Sequence, residues 1–124
     1  MQIIYMDILC FNMDRHTQNY GVLRDVDTGV ILRMAPNYDN NIALFARGIP
    51  AGLERTSDRL ISLFYDFLDQ DRRAMHIVTK LPVPNRAMIE SCASQITIAV
   101  DVETVCAFVM NGSDFVQRII VGKK

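Results

Sequence analysis

The stretch Phe11-Asn-Met-Asp-Arg-His-Thr-Gln-Asn-Tyr-Gly21 sets an Asp, an Arg, a His and two Asn side by side between apolar runs. Asp14 and Asn19 stand five residues apart, and Asp39 follows a segment with the marks of a hairpin. Two strands are expected at about 20–24 and 30–34, around the turn-forming Asp25-Val-Asp-Thr-Gly29. Antiparallel pairing returns the chain to where it left, so the loop ending at Asn19 should lie beside the loop beginning near Pro36. Asp14, Asn19 and Asp39 are then expected to converge. Two carboxylates and an amide oxygen form a hard-oxygen set suited to Mg²⁺, an ion that keeps several waters and shares a nucleotide's phosphates. Phosphoryl transfer calls for these residue types because it is mainly positioning and charge neutralisation, with one carboxylate to accept a hydroxyl proton and others to hold metal.

The order Asp, Asn, hairpin, Asp is that of the base and the two metal ligands in protein kinases. More specifically, "FNMDRHTQNYGVL" followed by "APNYDNN" resembles the HipA-like kinase family, whose core reads N-x-D-R-H-x-x-N, a hairpin, then A-P-x-Y-D. An Asp-Arg-His order also occurs in phosphoinositide kinases, but the "APNYD" continuation and the lack of a lipid-kinase activation segment favour the HipA-like family. The motifs span Phe11 to Asn41, and the helical remainder is compatible with the rest of a kinase C-lobe. This resemblance implies that Asp14 is the catalytic base, Asn19 a Mg²⁺ ligand, and Asp39 the Mg²⁺ ligand that corresponds to the Asp of the DFG motif. It further implies that Arg15 and His16 support the loop internally while Asn12 and Tyr38 fix backbone geometry. The implied activity is Mg-ATP-dependent phosphorylation of Ser or Thr in a protein substrate. The best-known members of the family are toxins of bacterial toxin-antitoxin pairs, neutralised by a DNA-binding partner.

The chain departs from a whole kinase in one respect. Its six glycines form no G-x-G-x-x-G or Walker pattern, and its only lysines, Lys80, Lys123 and Lys124, all follow the candidate metal site. The N-lobe is therefore expected outside this sequence, whose uncapped helical start at Met1 reads as a cut. On this reading the chain is part of a kinase and inactive alone. The alternative is a non-catalytic kinase-derived interaction module, in which the N-lobe docking surface binds a protein partner, an antitoxin-like protein or a second copy of the chain.

The positioning elements follow from periodicity. Residues 1–124 are expected to form a single domain, mainly α with one β-hairpin, an α+β fragment matching a protein-kinase-like C-lobe. A first helix carries Ile4, Ile8 and Phe11 on one stripe, and a long loop is expected over about 35–52. Leu60, Leu63, Phe64, Phe67 and Leu68 then mark an amphipathic helix from Ser57 to about Gln70, capped by Thr56 or Ser57. A short helix is expected over 72–79 and another over about 84–95 with Pro84 in its first turn. Asp101 should cap a helix with Val102, Val105, Cys106 and Val109, broken at Asn111-Gly112, and Ser113 or Asp114 should start a last one to about Val121.

Composition narrows the function classes. A formal net charge of −1, with no basic run except Lys123-Lys124, offers no platform for direct nucleic-acid binding. No segment approaches the ~20 apolar residues of a membrane span, and no secretory signal leads the chain, so a cytoplasmic protein is expected. Cys10, Cys92 and Cys106 lie in apolar stretches and read as small buried side chains in a reducing compartment. Taken singly, Asp14, Asn19 and Asp39 are ordinary turn residues; their joint order with Arg15-His16 and "APNYD" carries the kinase reading. His16 lacks a second His or Cys at ligand spacing and is not expected to hold metal, and His76 reads as structural. "DVDTG" resembles the start of a calcium loop, but Pro36 stands where the coordinating Glu belongs, leaving a turn. Met88 and Met110 read as core filler, and Asn111-Gly-Ser113 as a helix break, not a glycosylation acceptor.

Overall fold

In the computed structural model, which describes residues 1–41, 43–44 and 59–122, the apolar run at the start of the sequence forms helix α1 (Gln2–Cys10). Only Gln2 and Met6 of this helix are exposed, because α1 packs against three other helices at once. Its end is built by a Schellman arrangement. Phe11 adopts the left-handed conformation (φ 55°, ψ 44°), its N–H donates to Ile8 O at 3.3 Å, and the Asn12 N–H donates to Asp7 O at 2.8 Å. A left-handed Phe costs roughly 1–2 kcal/mol. Its ring meets the fully buried Phe108 edge to face, centroids 6.2 Å apart, which offsets part of that cost.

The chain next makes a one-turn 3₁₀ helix, Thr17–Asn19, then strands β1 (Val22–Arg24) and β2 (Ile31–Met34). The strands pair antiparallel with Val22 opposite Met34, Leu23 opposite Arg33 and Arg24 opposite Ile31, a register shift between Leu23 and Arg24 marking a bulge. The turn is local chemistry. Asp25 Oδ1 accepts from the Thr28 N–H at 2.8 Å and the Thr28 hydroxyl at 2.7 Å, and Gly29 supplies the positive φ of 69°. These hydrogen bonds hold the Asp25 carboxyl below the usual carboxylate range. The hairpin thus forms where the turn residues place it.

Helix α2 (Arg59–Gln70) buries Leu60, Ile61, Phe64 and Leu68. Leu63 and Phe67, expected on the core face, are 37% and 40% exposed and flank it, because Ile61 takes the inward position instead. The proposed Thr56 or Ser57 cap lies outside the described residues, as does half of the expected 35–52 loop. Asp71 caps α3 (Arg72–Val78) by accepting from the Arg73 N–H. Asn85 caps α4 (Arg86–Ala93) by accepting from the Met88 N–H at 3.0 Å, so Pro84 precedes the cap and is not in the first turn.

The last element corrects the sequence reading. Helix α5 (Val102–Gly122) starts at Asp101, whose Oδ1 accepts from the Thr104 N–H at 3.1 Å, and runs unbroken through Asn111-Gly112. Gly112 and Ser113 are buried inside it, so neither Ser113 nor Asp114 starts a helix. An interior Gly costs about 1 kcal/mol. Burying each of Val116, Ile119 and Ile120 beyond it returns roughly 1.5–3 kcal/mol, and continuity wins.

The core joins Ile4, Tyr5, Ile8 and Leu9 of α1 to Leu60, Phe64 and Leu68 of α2, Ala74 and Val78 of α3, and Val116, Ile119 and Ile120 of α5. Helix α4 buries no residue and rests on α5. The cysteines divide three ways: Cys106 is buried, Cys10 half-buried, and Cys92 exposed on α4, contrary to a uniformly buried set. Met88, on the same helix, is also exposed and fills no core space. Among the described residues no helix is long and apolar enough to cross a membrane. The architecture is mainly helical with one two-stranded antiparallel hairpin.

Candidate functional site

The Schellman end of α1 does more than stop a helix. An apolar contact often accompanies that motif between the side chains of the two residues joined by its longer hydrogen bond, here Asp7 and Asn12. In this chain the contact is polar, Asn12 Nδ2 donating to Asp7 Oδ1 at 3.1 Å. Both residues are 1% exposed. A carboxylate so placed must be neutralised, because an unpaired buried charge is very costly.

Arg15 neutralises it. Its Nε donates to Asp7 Oδ2 at 2.7 Å and its Nη2 to Asp7 Oδ1 at 2.7 Å, a two-point fork between side chains each 1% exposed. Of the remaining N–H groups, two reach across to the segment after the hairpin and one turns back to the loop that carries Arg15. Nη1 donates to Tyr38 O at 2.7 Å and, at a longer 3.4 Å, to Asn19 O; Nη2 also donates to Asn40 Oδ1 at 2.8 Å. A guanidinium has five N–H groups, and each is directed at an acceptor. The hydrogen-bonded Asp7 carboxylate raises the Arg15 pKa against the opposing effect of burial, with Asp39 among the smaller charges that help. The guanidinium also stands over the Tyr20 ring, 5.9 Å from its centroid, and burial pushes the Tyr20 hydroxyl up.

Further contacts tie the two segments together. Asn12 Nδ2 approaches Asn40 Oδ1 at 3.3 Å and Asp39 O at 3.5 Å, while its own Oδ1 is buried without a partner. The Tyr38 hydroxyl donates to Gln18 O at 2.9 Å. At the foot of the hairpin the Ala35 N–H donates to Gly21 O at 2.8 Å, and a Cβ on Gly21 would stand 3.2 Å from the Ala35 Cβ, so a larger residue would push the segments apart.

The residues singled out from sequence lie on these joined segments. Asp14 is exposed, and its carboxylate neither accepts a hydrogen bond nor forms an ion pair among the described residues. Asn19 is 3% exposed in the one-turn helix, held by its N–H to His16 O at 2.9 Å and by Nδ2 to Asp14 O at 3.4 Å. Asp39 is exposed, with a left-handed backbone (φ 58°) that an Asp tolerates better than most residues. Arg15 and Asn12 form the buried crosslinks, Tyr38 bridges through both its hydroxyl and its carbonyl, and His16 is exposed with only its backbone engaged. Sequence reasoning missed Asp7 and Asn40. Asp7 left one signal, being the only charged residue in an otherwise apolar opening helix.

Asn19 and Asp39 carry hard-oxygen donors, and a cation held by them would have to be shared with other ligands. Among the described residues no three His, Cys, Asp or Glu side chains form a cluster able to hold a metal ion. Mg²⁺ bound through Asn19 and Asp39 would need phosphate oxygens and waters to complete its shell, which is how that ion is held at nucleotide sites. Comparison with protein-family models, curated proteins and solved structures finds no match to this chain.

Proposed function

We propose that this chain carries the catalytic loop and metal-binding segment of an ATP- and Mg²⁺-dependent Ser/Thr protein kinase of HipA type, within a protein-kinase-like C-lobe. The observation that carries the reading is the pair of exposed carboxylates, Asp14 and Asp39, that accept no hydrogen bond among the described residues and stand on two segments joined by the Arg15 side chain. The Asp25 carboxylate, by contrast, shapes its turn by engaging the Thr28 N–H and hydroxyl. Among the described residues the Asp14 and Asp39 carboxylates engage no such group.

In this reading Asp14 accepts the proton of the attacking Ser or Thr hydroxyl, and Asn19 and Asp39 orient the phosphate-bound cation. Bound Mg²⁺ would supply charge neutralisation at the phosphates. Arg15 orients both segments and touches no substrate, since its donors are all engaged. An open groove of about 980 Å³ lies beside this segment, lined by Ile4, Tyr20, Met34, Ala35 and Pro36 among others, and in this reading it would take the flat aromatic face of the nucleobase.

Calorimetric titration with ATP tests the reading. Binding should require Mg²⁺ and vanish in Asp39→Asn, whose fold should persist because the site is exposed. No heat at millimolar nucleotide would overturn it. In a preparation that turns over a protein substrate, Asp14→Ala should lower the rate by about 10²–10⁴.

One observation favours a second reading, a non-catalytic module. Every residue of β1 and β2 is exposed, among them Val22, Leu23, Ile31, Leu32 and Met34, and a two-stranded hairpin is only marginally stable alone. A protein partner or a second copy covering that sheet would explain its apolar character. Sedimentation separates the readings, since a dimer that persists on dilution and binds no nucleotide favours the module.

A further inference from the structure

We infer that Asp7 is a positioning residue for the proposed phosphotransfer site, setting the Asp14 loop against the Asp39 segment through Arg15; this rests on the kinase reading. Asp7 lies on α1, on a helix fixed in the core by Ile4, Tyr5, Ile8 and Leu9. It is therefore the rigid end of the network, whereas 12–20, apart from one 3₁₀ turn, and 36–40 are irregular backbone that needs to be held.

The geometry makes the dependence one-way. Asp7 takes two of the five Arg15 N–H groups and so fixes the plane of the guanidinium. That plane aims the remaining three at Tyr38 O, Asn19 O and Asn40 Oδ1. Without the carboxylate, Arg15 would be a buried cation lacking its counter-charge. It would turn to solvent, and all three crosslinks would be lost together. Asp7 also receives Asn12 Nδ2, whose second contact is again Asn40 Oδ1, so both routes to the Asp39 segment start from the same carboxylate.

A purely stabilising role is the weaker account. A buried ion pair contributes little net stability compared with apolar residues of similar volume. An apolar pair could pack the end of α1 equally well, but it could not reach a carbonyl oxygen and a side-chain amide in another segment. Reach is what the pair adds.

Two variants and two readouts test this. In Asp7→Asn the shape is kept and the charge removed; in Arg15→Lys the charge is kept and the fork removed. Backbone amide hydrogen exchange is followed without ligand, and Mg-ATP affinity is measured separately. Both variants should lose protection at least tenfold at the Asn19 and Ala43 amides while α2 and α5 stay protected, and both should weaken Mg-ATP binding at least tenfold. Full recovery by Arg15→Lys would show that charge pairing alone matters and overturn the proposal. Loss spread evenly over α2 and α5 would overturn it too, assigning Asp7 a structural role. If the wild-type chain binds no Mg-ATP, the kinase reading falls on its own; coupled, local loss of protection would still support Asp7 as the anchor of the two segments, and its absence would overturn that as well.

Discussion

Arg15 and Arg86 are both arginines that bridge elements through short hydrogen bonds to carboxylates, yet they stand in opposite surroundings. Arg86 joins α4 to α5, its Nε donating to Glu90 Oε1 at 2.6 Å and its Nη2 to Glu103 Oε2 at 2.6 Å. These side chains are 49–74% exposed, whereas Arg15 and Asp7 are each 1% exposed. Glu103 raises the Arg86 pKa most, with Glu90 next, and Arg86 in turn lowers that of Glu103. Solvent competes for every one of those bonds, so distance alone misstates their weight. Between Arg15 and Asp7 solvent is largely excluded, and breaking the pair strands a charge. The shorter bonds are not the stronger restraint.

The largest expected effect follows from that contrast. Arg15→Met should destabilise the fold by about 3–5 kcal/mol in urea unfolding, since Asp7 would be left buried and alone. Adding Asp7→Leu should restore most of the loss while leaving 36–40 unrestrained, because two apolar residues no longer need each other's charge. A double variant as unstable as the single one would show that the ion pair itself holds the fold.

On the exposed side the cap should outweigh the ion pairs. Asn85→Ala should cost about 1 kcal/mol by leaving the Met88 N–H without its acceptor. Arg86→Ala should shift the unfolding midpoint less than Asn85→Ala does, and the shift should vanish in half-molar salt. A salt-independent shift larger than that of Asn85→Ala would erase the distinction between the two arginines.

Acid should act on the surface carboxylates that hold caps, turns and ion pairs. Asp25, Asp71, Asp101 and Glu103 are all held below their ordinary pKa, the first three chiefly by hydroxyl or guanidinium hydrogen bonds and Glu103 by Arg86. A depressed folded-state pKa means that these groups add stability above the unfolded carboxylate pKa of about 4 and lose it as pH falls through the folded value. Unfolding midpoints should therefore be flat from pH 7 to about 5 and decline below about 4, with the decline shallower in Arg86→Ala. A midpoint that rose in acid would contradict these assignments.

How much of this was legible in the sequence depends on how local its cause is. The hairpin was legible because Asp25, Thr28 and Gly29 build the turn among themselves. The start of α5 was legible because Asp101 reaches only to Thr104. Its supposed break was not, since Asn111-Gly112 signals an end by local preference, whereas the burial of Gly112 and Val116 is decided by distant helices. Leu63 and Phe67 were assigned to the core by the same periodicity that fits Leu60 and Phe64, and only packing separates them. At the candidate site, the order of Asp14, Asn19 and Asp39 raised the kinase reading. What joins their segments had to be seen, because Asp7 acquires its role only through Arg15, and Asn40 only through the returning hairpin.

The most direct measurement of the central claim is backbone amide relaxation of the isotopically labelled chain with Mn²⁺ in place of Mg²⁺, recorded with and without ATP. The account predicts broadening confined to residues 14–19 and 36–40, appearing only when Mn²⁺ and ATP are both present, and absent in Asp39→Asn. Broadening centred on Asp25 and Asp27 of the hairpin turn, or none near Asn19 and Asp39, would contradict it.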